Sequence, residues 1–167
     1  MSDLVSLTEL SPRSRFVLRA RPAAILACGA AFGVALPPLG SAVEAGSRAI
    51  LGLGPDEWLL LAGTSEAASI VAAFEGTLAG QAFSLVEVSD RNLAFAIEGP
   101  KAARLLNCGC PLDFSAFPIG MCSRTVLSKA EILLWRTGEA RYHLEVWRSF
   151  APYVVGLLRE AGREFGL

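Results

Sequence analysis

The spacing of hydrophobic and polar positions changes period several times along the chain, and each change marks an element. From Leu93 to Ile97 large and small side chains alternate, the two-residue period of a half-buried strand. Gly99-Pro100 then opens a helix over Lys101–Leu106, where proline costs nothing because the first N–H groups of a helix lack intrahelical acceptors. The Gly/Pro-rich stretch from Cys108 to Gly120 predicts a loop. Three runs rich in apolar and β-branched residues follow, Ser123–Ser128, Ala130–Trp135 and Tyr142–Trp147, and predict strands. From Ser149, a candidate N-cap, to about Phe165, the residues Tyr153, Val154, Leu157, Leu158 and Ala161 recur at helical spacing, with Arg159, Glu160, Arg163 and Glu164 on the opposite face.

The first half repeats this order. Phe16–Ala20 reads as a strand, Pro22 introduces a helix-like Ala23–Phe32, and a Gly/Pro loop runs through Gly46. Strands Arg48–Leu53 and Trp58–Ala62 are parted by the turn Gly54-Pro55-Asp56. Thr64 or Ser65 can cap a helix carrying Ile70, Val71, Phe74 and Leu78, and Phe83–Ser89 is a linking strand. Pro22 then corresponds to Pro100, Trp58 to Tyr142, Leu60 to Leu144 and Ser65 to Ser149. The repeated unit is a split β-α-β pattern, and two such ferredoxin-like units give an α+β fold with a mostly antiparallel sheet covered by helices. The expected organisation is an N-terminal extension, 1–15, followed by one domain, 16–167, made of two pseudo-repeats, 16–82 and 83–167.

Composition adds a second theme. Hydrophobic residues make up 53% of the 167 and charged residues 19%, below the roughly 25% charged of an ordinary soluble domain. A chain this size cannot bury all of that surplus, and exposed apolar patches usually meet another protein or a membrane. From Pro22 to Val43 there is no charge at all, and Arg13, Arg15, Arg19 and Arg21 precede it, as in a signal peptide or short anchor. Three features oppose a membrane role. The apolar core from Ala23 to Leu36 falls short of the roughly 18 to 20 residues that span a bilayer; it ends in Pro37-Pro38; and acidic Asp3 and Glu9 interrupt the basic region. A buried Ala/Gly-rich helix is the expectation, since its twin in the second half is an ordinary helix. A formal net charge of −1 provides no field for phosphate backbones, so nucleic acid is not expected as a partner, and the three features above argue against a membrane. Four cysteines at irregular positions, Cys28, Cys108, Cys110 and Cys122, suit a reducing compartment and a cytoplasmic location.

Catalytic patterns are scarce. There is no G-x-x-x-x-G-K-[ST] phosphate loop and no G-x-S-x-G elbow, and Gly52-Leu-Gly54 reads as a tight hairpin rather than a dinucleotide fingerprint. His143 is the one histidine, and Cys108-Gly-Cys110 lacks the two-to-four-residue separation of zinc ligands, so no metal site is expected. On the strand Arg141–Trp147, Tyr142, Leu144 and Val146 share one face; Arg141, His143 and Glu145 share the other, where a hydrated imidazole beside a carboxylate is expected. Cys108 or Cys110 near a helix end could be reactive, although small buried hydrophobes are the commoner role. Ser89-Asp90-Arg91 is the densest polar group between two apolar strands. It suits a turn in which Asp90 bonds backbone N–H groups ahead of it, or a site where Arg91 holds a ligand or partner carboxylate. Trp58, Trp135 and Trp147 are candidate interface anchors, with the core as the alternative.

In order along the chain stand Leu53-Gly-Pro-Asp-Glu-Trp-Leu-Leu-Leu61, Val88-Ser-Asp-Arg91, Glu98-Gly-Pro100, Leu106 through Cys110-Pro-Leu-Asp113, Phe117-Pro-Ile-Gly120 and Leu133-Leu-Trp-Arg136. This set resembles the gamma subunit family of heterotetrameric sarcosine oxidase and, more widely, the aminomethyltransferase (glycine-cleavage T protein) folate-binding fold. The resemblance covers Arg48 to the C-terminus well and the first forty residues loosely. It implies membership of a complex that oxidatively demethylates sarcosine to glycine, yielding hydrogen peroxide and, with tetrahydrofolate, 5,10-methylenetetrahydrofolate. In that family FAD, FMN, NAD, tetrahydrofolate and zinc belong to the alpha, beta and delta subunits, and the gamma chain is accessory. No catalytic, cofactor-binding or metal-binding residue is therefore carried over; Ser89, Asp90 and Arg91 match a family motif that shapes the fold or its contacts. The alternative is an independent folate-binding or one-carbon-transfer protein of the same fold, since architecture alone does not confer function.

Overall fold

The computed structural model describes residues 4–167. The chain separates into two compact units: Pro12–Ser89, and Asp90–Leu167 joined by the N-terminal residues up to Ser11. The dividing line falls at Ser89/Asp90 instead of 82/83, because the linking strand pairs with the first unit. The stretch expected as an N-terminal extension holds a strand, β1 (Ser6–Glu9), which belongs to the second unit.

The first unit runs β2 (Ser14–Ala20), α1 (Ile25–Phe32), β3 (Ala42–Ala45), β4 (Arg48–Gly52), β5 (Glu57–Ala62), α2 (Ala67–Thr77) and β6 (Phe83–Glu87). Its sheet has the order β3-β4-β5-β2-β6, antiparallel throughout. Phe16, Leu18, Ile50 and Leu60 alternate along three strands and meet Phe32 of α1 and Phe74 of α2 in one core, the burial that repays ordering the helices. β3 lies inside the expected Gly/Pro loop; four residues at a sheet edge are too short for a periodic signal.

The second unit runs β7 (Asn92–Glu98), α3 (Ala102–Leu106), β8 (Cys122–Leu127), β9 (Ala130–Gly138), β10 (Arg141–Trp147) and α4 (Ala151–Gly162). The sheet order β1-β7-β10-β9-β8 matches that of the first unit read from its other edge, β6-β2-β5-β4-β3. In the first unit the strand beside the opening strand follows the second helix; here the N-terminal β1 takes that place, with Leu7 opposite Ile97 and Glu9 opposite Phe95. Ile97, Leu134, Tyr142 and Leu144 pack with Leu105 of α3 and Val154 of α4.

Helix starts differ from the expected caps. Ser149 does not cap α4; a 3₁₀ turn, Arg148–Phe150, leads into it, with Pro152 in the first turn. Neither Thr64 nor Ser65 caps α2. The Glu66 carboxylate instead accepts the Gly63 N–H at 2.8 Å, and is itself held by the Arg48 guanidinium at 2.8 Å and the Ser47 hydroxyl at 2.9 Å. Those bonds, Arg48 foremost, hold the Glu66 carboxyl below the usual carboxylate range.

Candidate functional site

Of the three candidate tryptophans, two are interior. Trp58 is 4% exposed in the first core, and its indole N–H donates to the Pro37 carbonyl at 2.8 Å, pinning the loop after α1. Trp135 is 5% exposed, and its indole N–H has no hydrogen-bond partner among the described residues. Beside it, His143 and Glu145 are buried and joined at 2.9 Å, with the imidazole and indole centroids 5.7 Å apart. This corrects the expected hydrated pair: the face of β10 opposite the unit's core is buried as well, from Tyr142 through Val146, so each group must satisfy the other. Trp147, at the end of β10, is 48% exposed.

The Ser89-Asp90-Arg91 group is a turn, as one of its two readings required, but it is held differently. The Ser89 hydroxyl accepts the Arg15 N–H at 3.1 Å and donates to Glu87 at 2.7 Å, closing β6 against β2. The Asp90 side chain points outward; its carbonyl accepts Arg148 Nε at 3.0 Å, and its carboxylate lies 3.8 Å from the same guanidinium. The Arg91 carbonyl accepts the Arg148 N–H at 2.8 Å, while Arg91 Nε donates to Asn92 at 3.2 Å. In the second unit this turn therefore fixes the start of α4, where Trp147, Phe150 and Tyr153 stand 40–48% exposed. The Tyr153 hydroxyl donates to the Ser128 hydroxyl at 3.0 Å, which ties the aromatic run to the β8–β9 turn.

On its other side α4 borders an apolar groove of about 430 Å³ along β1 and β7, lined by Leu7, Leu93, Phe95, Pro152 and Val155, with Arg148, Arg159 and Glu9 also on its wall. Other polar residues of the second unit pin loops. Asn107 donates to the Cys110 and Leu112 carbonyls at 3.3 and 2.9 Å. Asp113 accepts from Ser115 N–H and hydroxyl, which holds its carboxyl low. Arg136 donates to Phe117 and Glu139 carbonyls at 2.7 and 2.6 Å. Polar side chains that bond nearby backbone groups in this way are structural staples, a role that spacing alone does not separate from ligand binding.

Among the described residues no three His, Cys, Asp or Glu side chains gather as metal ligands, and no helix is long and apolar enough to cross a membrane. Cys28, Cys110 and Cys122 are buried and Cys108 is exposed, none of the four in a disulfide; burial pushes the Cys28 thiol up, away from reactivity.

The model of the "Sarcosine oxidase, gamma subunit family" matches residues 18–164. The chain belongs to the sarcosine oxidase gamma subunit family. A gamma subunit of sarcosine oxidase from Corynebacterium sp. (strain U-96) is 33% identical over 167 residues, covering 96% of this chain and 80% of the relative. The solved heterotetrameric sarcosine oxidase from Corynebacterium sp. U-96, in complex with pyrrole 2-carboxylate, includes a chain that superposes with a TM-score of 0.90 at 32% identity. That match covers 100% of this chain and 88% of the other. The glycine cleavage system aminomethyltransferase T from Bartonella henselae shares the fold, with a TM-score of 0.70 at 16% identity over 93% of this chain and 45% of that one.

Proposed function

We propose that this chain is the non-catalytic accessory subunit of a cytoplasmic heterotetrameric sarcosine oxidase, assembled with alpha, beta and delta subunits. That complex demethylates sarcosine to glycine with production of hydrogen peroxide and, when tetrahydrofolate is present, of 5,10-methylenetetrahydrofolate. On this reading FAD, FMN, NAD, tetrahydrofolate and zinc are held by the partner subunits. The observation that carries it is the correspondence of the whole chain with one chain of a heterotetrameric enzyme. The exposed Trp147, Phe150 and Tyr153 agree, since aromatic side chains are enriched at the buried centres of protein interfaces.

The test is purification of the tagged chain from its native cell, followed by a flavin absorption spectrum. Stoichiometric recovery of larger subunits bearing flavin is expected. A solitary, monodisperse chain without flavin overturns the proposal, as does micromolar binding of tetrahydrofolate by the isolated chain in calorimetry, which would make it an independent folate protein.

A further inference from the structure

The uncharged stretch from Pro22 to Val43 forms α1 and the loop behind it, and its outer side faces solvent. A surface helix ordinarily turns charged or polar residues outward, whereas α1 carries no charged side chain at any position. Cys28 and Phe32 are buried in the core; on the opposite side Leu26 is 88% exposed, with Ala30 and Gly33 also exposed. Next to Leu26 lies an apolar groove of about 390 Å³ floored by Gly29, Ala30 and the residues after Gly33. Leu39, 62% exposed, extends the apolar surface.

The neighbouring arginines say what kind of surface covers this face. Arg19 is paired with Asp56 at 3.0 Å and Glu57 at 2.7 Å, Arg15 is buried, and Arg13 donates to the Ser47 carbonyl. None of the three is a spare cation for anionic lipid, and the eight residues of α1 span about 12 Å, well short of a bilayer core of about 30 Å. The Arg21 side chain, at the start of the helical segment, is exposed and makes no hydrogen bond or ion pair among the described residues, while its carbonyl accepts the Ala24 N–H at 2.9 Å. One cation at the edge of an uncharged patch complements a protein surface that is apolar at its centre and acidic at its rim. A charge brought onto the patch itself would be desolvated without a partner.

We infer that the outer face of α1 is the docking surface for a larger subunit of the heterotetramer, which receives Leu26, fills the adjacent groove and offers a carboxylate to Arg21. The inference rests on the accessory-subunit reading and adds to it the place of contact. Glycine and alanine in the groove let the partner's backbone approach closely, and Leu26 supplies the projecting side chain.

The test co-expresses the full tagged chain with the other subunits and compares wild type with Leu26→Glu, Ala30→Arg and Arg21→Glu. Leu26→Glu and Ala30→Arg are expected to weaken subunit affinity roughly thirtyfold or more, the effect of losing a hot-spot residue. Their thermal midpoints alone should match wild type, because the replaced side chains project into solvent. Arg21→Glu is expected to weaken it a few-fold, with the difference fading at high salt. Wild-type recovery of the complex by Leu26→Glu overturns the inference. So does Leu26-dependent self-association of the isolated chain, or its Leu26-dependent binding to phosphatidylglycerol vesicles, since the occupant would then be a second copy or a lipid surface. Failure of the wild-type chain to recover any subunit would instead refute the accessory-subunit reading.

Discussion

Replacing Gly52 by alanine would put a methyl group where the Pro38 carbonyl already sits. A Cβ built on Gly52 lies 2.3 Å from the Pro38 oxygen and 2.9 Å from its carbon, both backbone atoms that no rotamer change can move aside. Gly52 also accepts the Gly40 N–H at 2.8 Å and donates to the Ser41 carbonyl at 2.9 Å, and its register partner Trp58 bonds Pro37 at 2.8 Å. The methyl would have to lift this clamp off β4. Overpacking costs about 1 to 3 kcal/mol and each of the two lost Gly52 bonds about 1 kcal/mol, so Gly52→Ala should destabilise by about 3 to 5 kcal/mol and lower the midpoint by about 10 °C. Gly156 in α4 has nothing within 4 Å of its would-be Cβ, so Gly156→Ala should stabilise by about 1 kcal/mol. Urea denaturation followed by tryptophan fluorescence measures both, with Trp58 reporting directly on the clamp. A Gly52→Ala protein as stable as wild type would refute the claim that loop and strand are in rigid contact.

Two further outcomes follow from the charged and thiol groups. Arg48, the Gly63 N–H and Ser47 lower the Glu66 carboxyl in the folded state, so its contribution is complete above the unfolded carboxyl's value of about 4.3 and is lost as pH falls through the lower folded one. Glu66→Gln should therefore be less stable than wild type at neutral pH, with the gap closing on acidification; a gap constant down to strongly acid pH would show that the carboxylate charge is not involved. Ellman's reagent should modify one thiol, Cys108, in the native protein and all four after denaturant, and rapid native modification of a second would contradict the burial of Cys28, Cys110 and Cys122.

Most strands and helices were legible because each carries its own period. Leu93–Ile97 and Tyr142–Trp147 alternate in sequence and do form strands, although both faces of each are largely buried, and the α4 segment recurs at the helical spacing that its burial follows. The capping residues were not legible. Ser149, Thr64 and Ser65 have suitable side chains, yet 3₁₀ turns enter α4 and α2, and Glu66 takes the Gly63 N–H with help from Arg48, eighteen positions away. His143 and Glu145 look like a wet face in an alternating strand, and burial of that face is not a property of the strand. The turn at Ser89-Asp90-Arg91 was readable as a turn, but its bonds to Arg15 and Arg148 come from residues far along the chain.

The amino-acid order by itself determined the local elements, the internal repeat, the family motifs and the uncharged run from Pro22 to Val43. These depend on spacing within a few residues or on composition. Tertiary structure decided which strand flanks β7, which tryptophans are interior, and that α1 turns Leu26 and not Phe32 to solvent. Those outcomes depend on pairings and packing between distant segments, where a one-residue slip in register would exchange the two faces of a strand.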